Sequence, residues 1–253
     1  MITWDQVAGS LALVAVAVAL SVWRGARIEN EIAWAVGRSF VQLTALGYVI
    51  KLVFQAHDVG WVIPMLAAMV VLGAETARRR APDVPHAFPL LLCSIAIATA
   101  GTLGLALAVG AIDATSRALI PIGGMVVGQA MVGSGIALAR LSFEVAAAPG
   151  EIEARLSLGA TWRQAIDPIL RRSVVAGLTS TIDSTKTAGI VAIPGTTVGM
   201  LLGGAAPLDA VRLQLVVFYL LVGATAIVVV AATTFAARGF FTAAHQLRDL
   251  PGG

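Results

Sequence analysis

Long apolar stretches separated by short polar ones organise the chain. Seven runs stand out: Val7–Trp23, Ser39–Phe54, Val59–Ala74, Ala87–Ile112, Ala118–Ala139, Val174–Leu202 and Leu213–Ala237. None alternates apolar and polar positions with a period of two, as the strands of a membrane barrel would. Continuous runs of this kind predict helices, and about 20 residues suffice to cross the hydrocarbon core of a bilayer. The second and third runs are short. The second gains length from Trp34 to Gly37 if Arg38 and Lys51 extend their charged ends to water. The sixth is long and charged, so the pattern does not set its limits. Turns are expected at His57-Asp58 and at Asp113. The predicted fold class is all-α: a polytopic transmembrane helix bundle of about seven spans, with residues 1–253 forming one membrane domain.

Composition sharpens this reading. Of the 253 residues, 58% are hydrophobic and 12% charged, against about 25% charged in an ordinary soluble domain. A soluble fold of this size has no core large enough to hide that much apolar surface; lipid can solvate it. The 26 glycines are consistent with close helix packing. The single cysteine, Cys93, excludes an internal disulfide. A net charge of +3 would suggest nucleic acid in a soluble protein. Here the arginines lie between apolar runs, so they point to membrane orientation, and no nucleic-acid partner is expected.

The loops then set the topology. Arg24, Arg27 and Arg38 flank one loop, Arg78, Arg79 and Arg80 the next on that side. Arg140, Arg155, Arg163, Arg171 and Arg172 lie between the fifth and sixth runs, and Arg238 and Arg248 follow the seventh. The opposite loops hold Asp5, His57-Asp58, Asp113 and Asp209, with Lys51, Arg117 and Arg212 near the edges. The positive-inside rule places the N-terminus outside and the C-terminus in the cytoplasm of a cell inner (plasma) membrane. The first run is preceded by Asp5 and followed by arginines, the reverse of a secretory signal, and is expected to be the first span.

The segment at about 141–172 is the long stretch that is not membrane-like. Pro149-Gly150 breaks the chain. Glu151 and Glu153 then occupy the first turn of a predicted helix, where the dipole favours carboxylates. Ile152 and Leu156 share a face, and Gly159 is placed to end the helix. Ala165, Ile169 and Val174 predict a second helix leading into the sixth run. The short helix has two readings: an amphipathic helix on the headgroups, or a coupling helix that docks on a cytoplasmic ATPase. The residues singled out for coupling are Glu151, Glu153, Ala154, Leu156, Gly159, Ala160 and Thr161.

Glu153-Ala154 followed by Gly159 partly resembles the Glu-Ala-Ala…Gly loop of ABC importer permeases, with Arg155 in place of the second Ala. A closer resemblance spans nearly the whole chain. It rests on Ile120-Pro121-Ile122-Gly123-Gly124-Met125, Leu156-Ser157-Leu158-Gly159-Ala160-Thr161, Asp183-Ser184-Thr185-Lys186-Thr187-Ala188-Gly189, and Pro194-Gly195 with Gly199. Together these are similar to the family of small ABC permeases that includes the bacterial FetB iron exporter and the plant aluminium-tolerance permeases. The resemblance implies a permease paired with a separate ATP-binding subunit, two of each, with ATP and Mg bound by the partner. It also implies export of a metal ion such as iron. The sequence departs from the family pattern at Gln129, where Asn is common, and at Thr196-Thr197, where a Met pair often stands and would supply soft thioether sulfur.

Polar residues inside apolar runs are costly, face the interior and mark functional paths. Asp183 and Lys186 are three apart and share a helix face, as either a self-neutralising pair or a gate. Ser180, Thr181, Ser184, Thr185 and Thr187 surround them. Gln42 and Gln129 are candidates for interhelical hydrogen bonds, and Met125 for a soft ligand or packing. Pro194-Gly195 breaks the sixth run, as transport paths often do. These residues are the translocation-path candidates; a metal-ligand set is not legible. Glu75 beside Arg78 and Arg79 predicts a surface ion pair.

The function classes narrow accordingly. A P-loop needs a lysine after glycine, and neither Lys51 nor Lys186 has that context, so ATP hydrolysis is expected in a partner. A secondary transporter using Asp183 is the alternative, weakened by the absence of an evident inverted repeat. An intramembrane enzyme finds no catalytic constellation: His57, His86 and His245 lack metal-ligand spacing.

Overall fold

The computed structural model describes residues 4–25, 28–56, 59–242 and 246–248. Arg27, His245 and the expected turn at His57-Asp58 lie outside the described residues. The described chain is helical, with only isolated bridges between extended residues. It divides into two compact units, Met1–Asp58 and Val59–Gly253.

The first unit is a helical hairpin of α1 (Trp4–Arg24) and α2 (Glu29–Ala56). Gly25, with φ of 65°, ends α1 in the left-handed region that glycine enters without a Cβ penalty. Ser21 Oγ donates to Glu29 Oε1 at 3.2 Å and accepts from the Ile28 N–H at 3.4 Å, tying the two helices at the turn. Gln42 sits on an exposed face of α2, with no hydrogen-bond partner among the described residues.

The second unit begins with a 3-10 turn and contains α3 (Val62–Arg78), α4 (Ala87–Ala108), α5 (Ser116–Ala147), α6 (Pro149–Ser157), α7 (Trp162–Thr187), α8 (Gly195–Leu202) and α9 (Pro207–Gly239). The 32-residue α5 is the axis, packed against α9, α7, α3 and α4. Small residues permit this. A Cβ on Gly133 would lie 2.6 Å from Thr225 Cγ2, and one on Gly177 would lie 2.7 Å from the Gly133 carbonyl, so α5 and α7 cross with backbones touching. At Gly123 a Cβ would meet Leu66, and at Gly135 it would approach Arg80 Cδ at 3.0 Å, so α3 also depends on bare backbone along α5. Lipid offers no hydrophobic drive between helices, so close packing of this kind supplies the cohesion.

Four helices are long and apolar enough to cross a membrane: α1, α4, α5 and α9. Their surfaces carry large exposed apolar side chains such as Leu13, Leu105 and Tyr219, the expected finish of a helix solvated by lipid. The other three runs differ physically. With 17 residues α3 is at the lower limit of a crossing, α2 carries Glu29, Glu31, Arg38 and Lys51, and α7 carries charges at both ends.

Two expected boundaries move. The helix of the fifth run does not stop at Ala139 but continues to Ala147, so the first part of the 141–172 segment is a helical extension. The sixth run is not one helix. α7 starts at Trp162 and ends at Thr187; an irregular turn follows, and α8 starts only at Gly195. The break has local causes. Gly189 adopts φ of 80°, its N–H bonds the Ala192 carbonyl at 2.8 Å, and Pro194 keeps Ile193 out of the helical region.

Candidate functional site

Helices α5 and α7 run antiparallel, and part of the sequence candidates lies along their shared seam. At the basic end, α6 is a two-turn helix seated on α7 by buried Ile152 and half-buried Leu156. Arg155 fixes it: Nη2 bonds Glu151 Oε1 at 2.6 Å, and Nη1 donates to the Ala165 carbonyl of α7 at 3.1 Å. The residue that departs from the importer loop thus anchors the helix.

The end of α6 is a Schellman stop. Gly159, with φ of 87°, donates to the Leu156 carbonyl at 3.0 Å, and Ala160 donates to the Arg155 carbonyl at 3.1 Å. Thr161 then caps α7 with a capping box: the Gln164 N–H bonds Thr161 Oγ1 at 3.4 Å, and the Thr161 N–H bonds Gln164 Oε1 at 2.9 Å. The result is a stiff elbow whose outer face presents Glu151, Glu153, Ala154, Gly159 and Thr161, with Leu158 88% exposed at its tip.

Behind the elbow, Glu144 bridges the long helices. Its Oε1 accepts from Arg140 Nε and its Oε2 from Arg172 Nε, each at 2.6 Å. The sequence reading missed Glu144; the Arg140-to-Glu144 spacing of four residues was the available signal. Glu75 forms the expected ion pair, with Arg78 Nε at 2.8 Å and Arg79 Nε at 3.1 Å. The Arg78 and Arg79 hydrogen bonds hold its carboxyl down at about 2.

Deeper along the seam, Gln129 Nε2 donates to Thr181 Oγ1 at 2.6 Å, and Thr181 Oγ1 reaches Thr225 Oγ1 of α9 at 3.5 Å. One turn away on the same face of α5, Met125 Sδ accepts from Thr196 Oγ1 of α8 at 3.8 Å. Thr197 donates to Gln214 Oε1 at 3.3 Å. Two hydroxyls, those of Thr196 and Thr197, thus fasten α8 to its neighbours. Thr225 and Gln214 were also missed in sequence; isolated polar residues in the most apolar run were their signal. Met125 and Thr196 face a cavity of about 480 Å³ that also admits Asp113 and Arg117.

Asp183, Ser184, Lys186 and Thr187 occupy the exposed face of α7, and among the described residues Asp183 and Lys186 form no ion pair with each other. The Thr187 hydroxyl bonds back to the Asp183 carbonyl at 2.9 Å. Pro194 caps α8 and Gly195 is its first residue. The seam therefore gathers Met125 and Gln129, leaves Asp183 and Lys186 on an open face, and leaves Gln42 in the first unit. Among the described residues no three His, Cys, Asp or Glu side chains converge in a metal-binding group.

Comparison with known proteins places this arrangement in a family. Residues 4–241 match the family described as "Uncharacterised protein family (UPF0014)". The chain is 38% identical over 238 residues to "UPF0014 membrane protein STAR2" of Oryza sativa subsp. japonica, covering 94% of this chain and 84% of that one. It is 36% identical over 241 residues to "Protein ALUMINUM SENSITIVE 3" of Arabidopsis thaliana, covering 95% and 88%. It is 33% identical over 246 residues to the "Probable iron export permease protein FetB" of Escherichia coli (strain K12), covering 97% and 95%. No solved structure matches the chain. With its apolar helices, its glycine-packed seam and a match along nearly its whole length, the chain belongs to the UPF0014 family of helical membrane proteins.

Proposed function

We propose that the chain is the membrane-spanning permease subunit of an ABC transporter that exports a metal ion such as iron. It works as a pair, with two copies of a separate ATPase, in a cell's inner (plasma) membrane. The whole chain acts as one permease domain of about seven spans, with the N-terminus outside and the arginine-rich end in the cytoplasm. The observation that carries this reading is the α6–α7 elbow. A helix that transmits a stroke must be stiff, exposed and firmly stopped. This one is stapled by Arg155, closed by Gly159 and followed at once by the capping box of α7. Leu158, 88% exposed at the tip of the elbow, offers an apolar side chain to a partner surface.

The cycle is alternating access. ATPase closure moves the elbow, and α7 passes the displacement to the α5 seam through Glu144–Arg172 and the Gly133–Gly177 crossing. The path runs beside Met125, Gln129 and the open α7 face with Asp183, Ser184, Lys186 and Thr187, toward the α7–α8 break at Pro194-Gly195.

The test is assembly. The chain is co-purified with candidate ATPases as wild type, Glu153→Arg, Gly159→Pro and Leu158→Asp. The expected result is a stable complex for wild type and about tenfold or greater loss of ATPase stimulation for Leu158→Asp, with unchanged thermal stability. Equal assembly and stimulation in all four defeats the coupling role. Vesicle transport with a panel of metal ions then identifies the cargo and its direction.

A further inference from the structure

At the arginine-rich end of the second unit, the first turn of α4, the start of α7, the last turn of α9 and the segment after it enclose a cavity of about 710 Å³. Both α4 and α9 are apolar enough to cross a bilayer, and the cavity lies at the end of each, so it sits at headgroup depth. Three arginines line it: Arg163, Arg238 and Arg248. None has an ion-pair partner among the described residues, and no carboxylate is among the lining side chains.

The arginines are held in place. Arg163 lies 5.3 Å over the Trp162 ring, which itself sits 5.9 Å from Phe241. The Thr242 N–H bonds the Gln246 carbonyl at 2.8 Å, and Arg248 Nε donates to the Phe241 carbonyl at 3.3 Å. The N-terminus of α4 opens on the same space. There Pro89 has no N–H and the Leu90 N–H bonds the His86 carbonyl at 3.4 Å, so the arginines are the donors an anion would meet. The walls are apolar, formed by Leu90, Trp162 and Phe235, the last 58% exposed on α9 toward the lipid. The neighbouring cavity of about 460 Å³ makes the contrast: it is lined by Arg78 and Arg79, both of which already bond the Glu75 carboxylate.

We propose that the 710 Å³ cavity binds the phosphate headgroup of an anionic phospholipid, whose acyl chains run down the apolar faces of α4 and α9. Uncompensated guanidinium groups present forked donors that match phosphate oxygens, and basic pockets between membrane helices recognise such headgroups. The apolar walls distinguish a lipid from free phosphate. The proposal rests on the bilayer setting alone and does not need the transporter reading.

The test is native mass spectrometry of the delipidated chain in detergent, titrated with phosphatidylglycerol, phosphatidylcholine or inorganic phosphate. Phosphatidylglycerol is expected to stay bound, phosphatidylcholine to be lost readily, and inorganic phosphate alone not to be retained. The triple variant Arg163→Gln, Arg238→Gln, Arg248→Gln should lose about a hundredfold in phosphatidylglycerol affinity, while Arg78→Gln with Arg79→Gln keeps it. If the glutamine triple does not fold, the lysine triple keeps the charge but loses the forks and should weaken retention about tenfold. Equal retention in wild type and in whichever triple folds overturns the proposal. So does retention of inorganic phosphate in place of the lipid. Loss of ATPase co-purification by the triple with unchanged lipid retention also overturns it and assigns the surface to a protein partner.

Discussion

Glu144 Oε2 accepts a 2.6 Å hydrogen bond from Arg172 Nε, 28 residues further along the chain. This bond clamps the C-terminal extension of α5 to α7 immediately behind the elbow. Glu144 is nearly buried and both its arginines are half exposed, so the acid is the member whose loss is felt. Glu144→Gln should destabilise the chain by about 1–3 kcal/mol, read as a lower midpoint of thermal unfolding in detergent. Arg140→Gln, which leaves the Arg172 bond in place, should cost less. A Glu144→Gln protein as stable as wild type removes the clamp from the account.

The α5–α7 crossing predicts a sharp contrast between two glycines. Gly177→Ala places a methyl 2.7 Å from the Gly133 carbonyl and 2.9 Å from Val229 Cγ2, whereas a Cβ on Gly128 meets nothing within 4 Å. Gly177→Ala should cost about 1–3 kcal/mol or more by overpacking, and Gly128→Ala should be silent. Thermal unfolding of the two variants side by side decides it.

At Gly159 the backbone conformation, not space, is limiting: φ is 87° and a Cβ would meet nothing within 4 Å. Gly159→Ala should cost about 1–2 kcal/mol, and Gly159→Asn less, because Asn tolerates the left-handed region. The same order should appear in ATPase stimulation if elbow rigidity matters for coupling.

The Gln129–Thr181 bond can be measured by a double-mutant cycle. Gln129→Leu and Thr181→Val should each cost about 1 kcal/mol, and the double variant little more than either. Gln129→Asn should weaken the bond too, since the shorter side chain withdraws its amide from a 2.6 Å contact. Strict additivity would show that the two side chains do not act together.

Glu75 gives the pH prediction. Its folded carboxyl is held at about 2, below the ordinary 4.5, by Arg78 and Arg79. A depressed acid stabilises the fold fully above the ordinary value and loses that contribution as pH falls toward the folded one. The wild type should therefore lose more thermal stability between pH 4.5 and 2 than Glu75→Gln. Parallel curves would contradict the ion pair.

Asp183 and Lys186 sit on an open face without pairing to each other. The swap Asp183→Lys with Lys186→Asp should leave folding within about 0.5 kcal/mol of wild type and abolish transport if the pair gates the path. Retained transport in vesicles ends the gating role.

Much of this was legible from residue order. The apolar runs anticipated α1, α4, α5 and α9, because lipid solvation demands uninterrupted helices of bilayer length. The Gly159 stop and the second helix after it were also legible, since caps and left-handed glycines are local devices. The Glu75 ion pair followed from spacing on one helix. The continuation of α5 to Ala147 and the break between Thr187 and Gly195 were harder, because packing and backbone turns there override hydropathy.

What the sequence by itself determined, then, is the set of features governed by local rules: the long apolar helices, the Gly159 stop, the short helix with the second one after it, and the family motifs. Only the tertiary structure decided which polar groups meet. Glu144 finds Arg172, Gln129 finds Thr181, and Gly133 meets Gly177 because two distant helices cross where neither carries a side chain. Such encounters depend on interhelical distance, and a one-dimensional pattern holds no record of it.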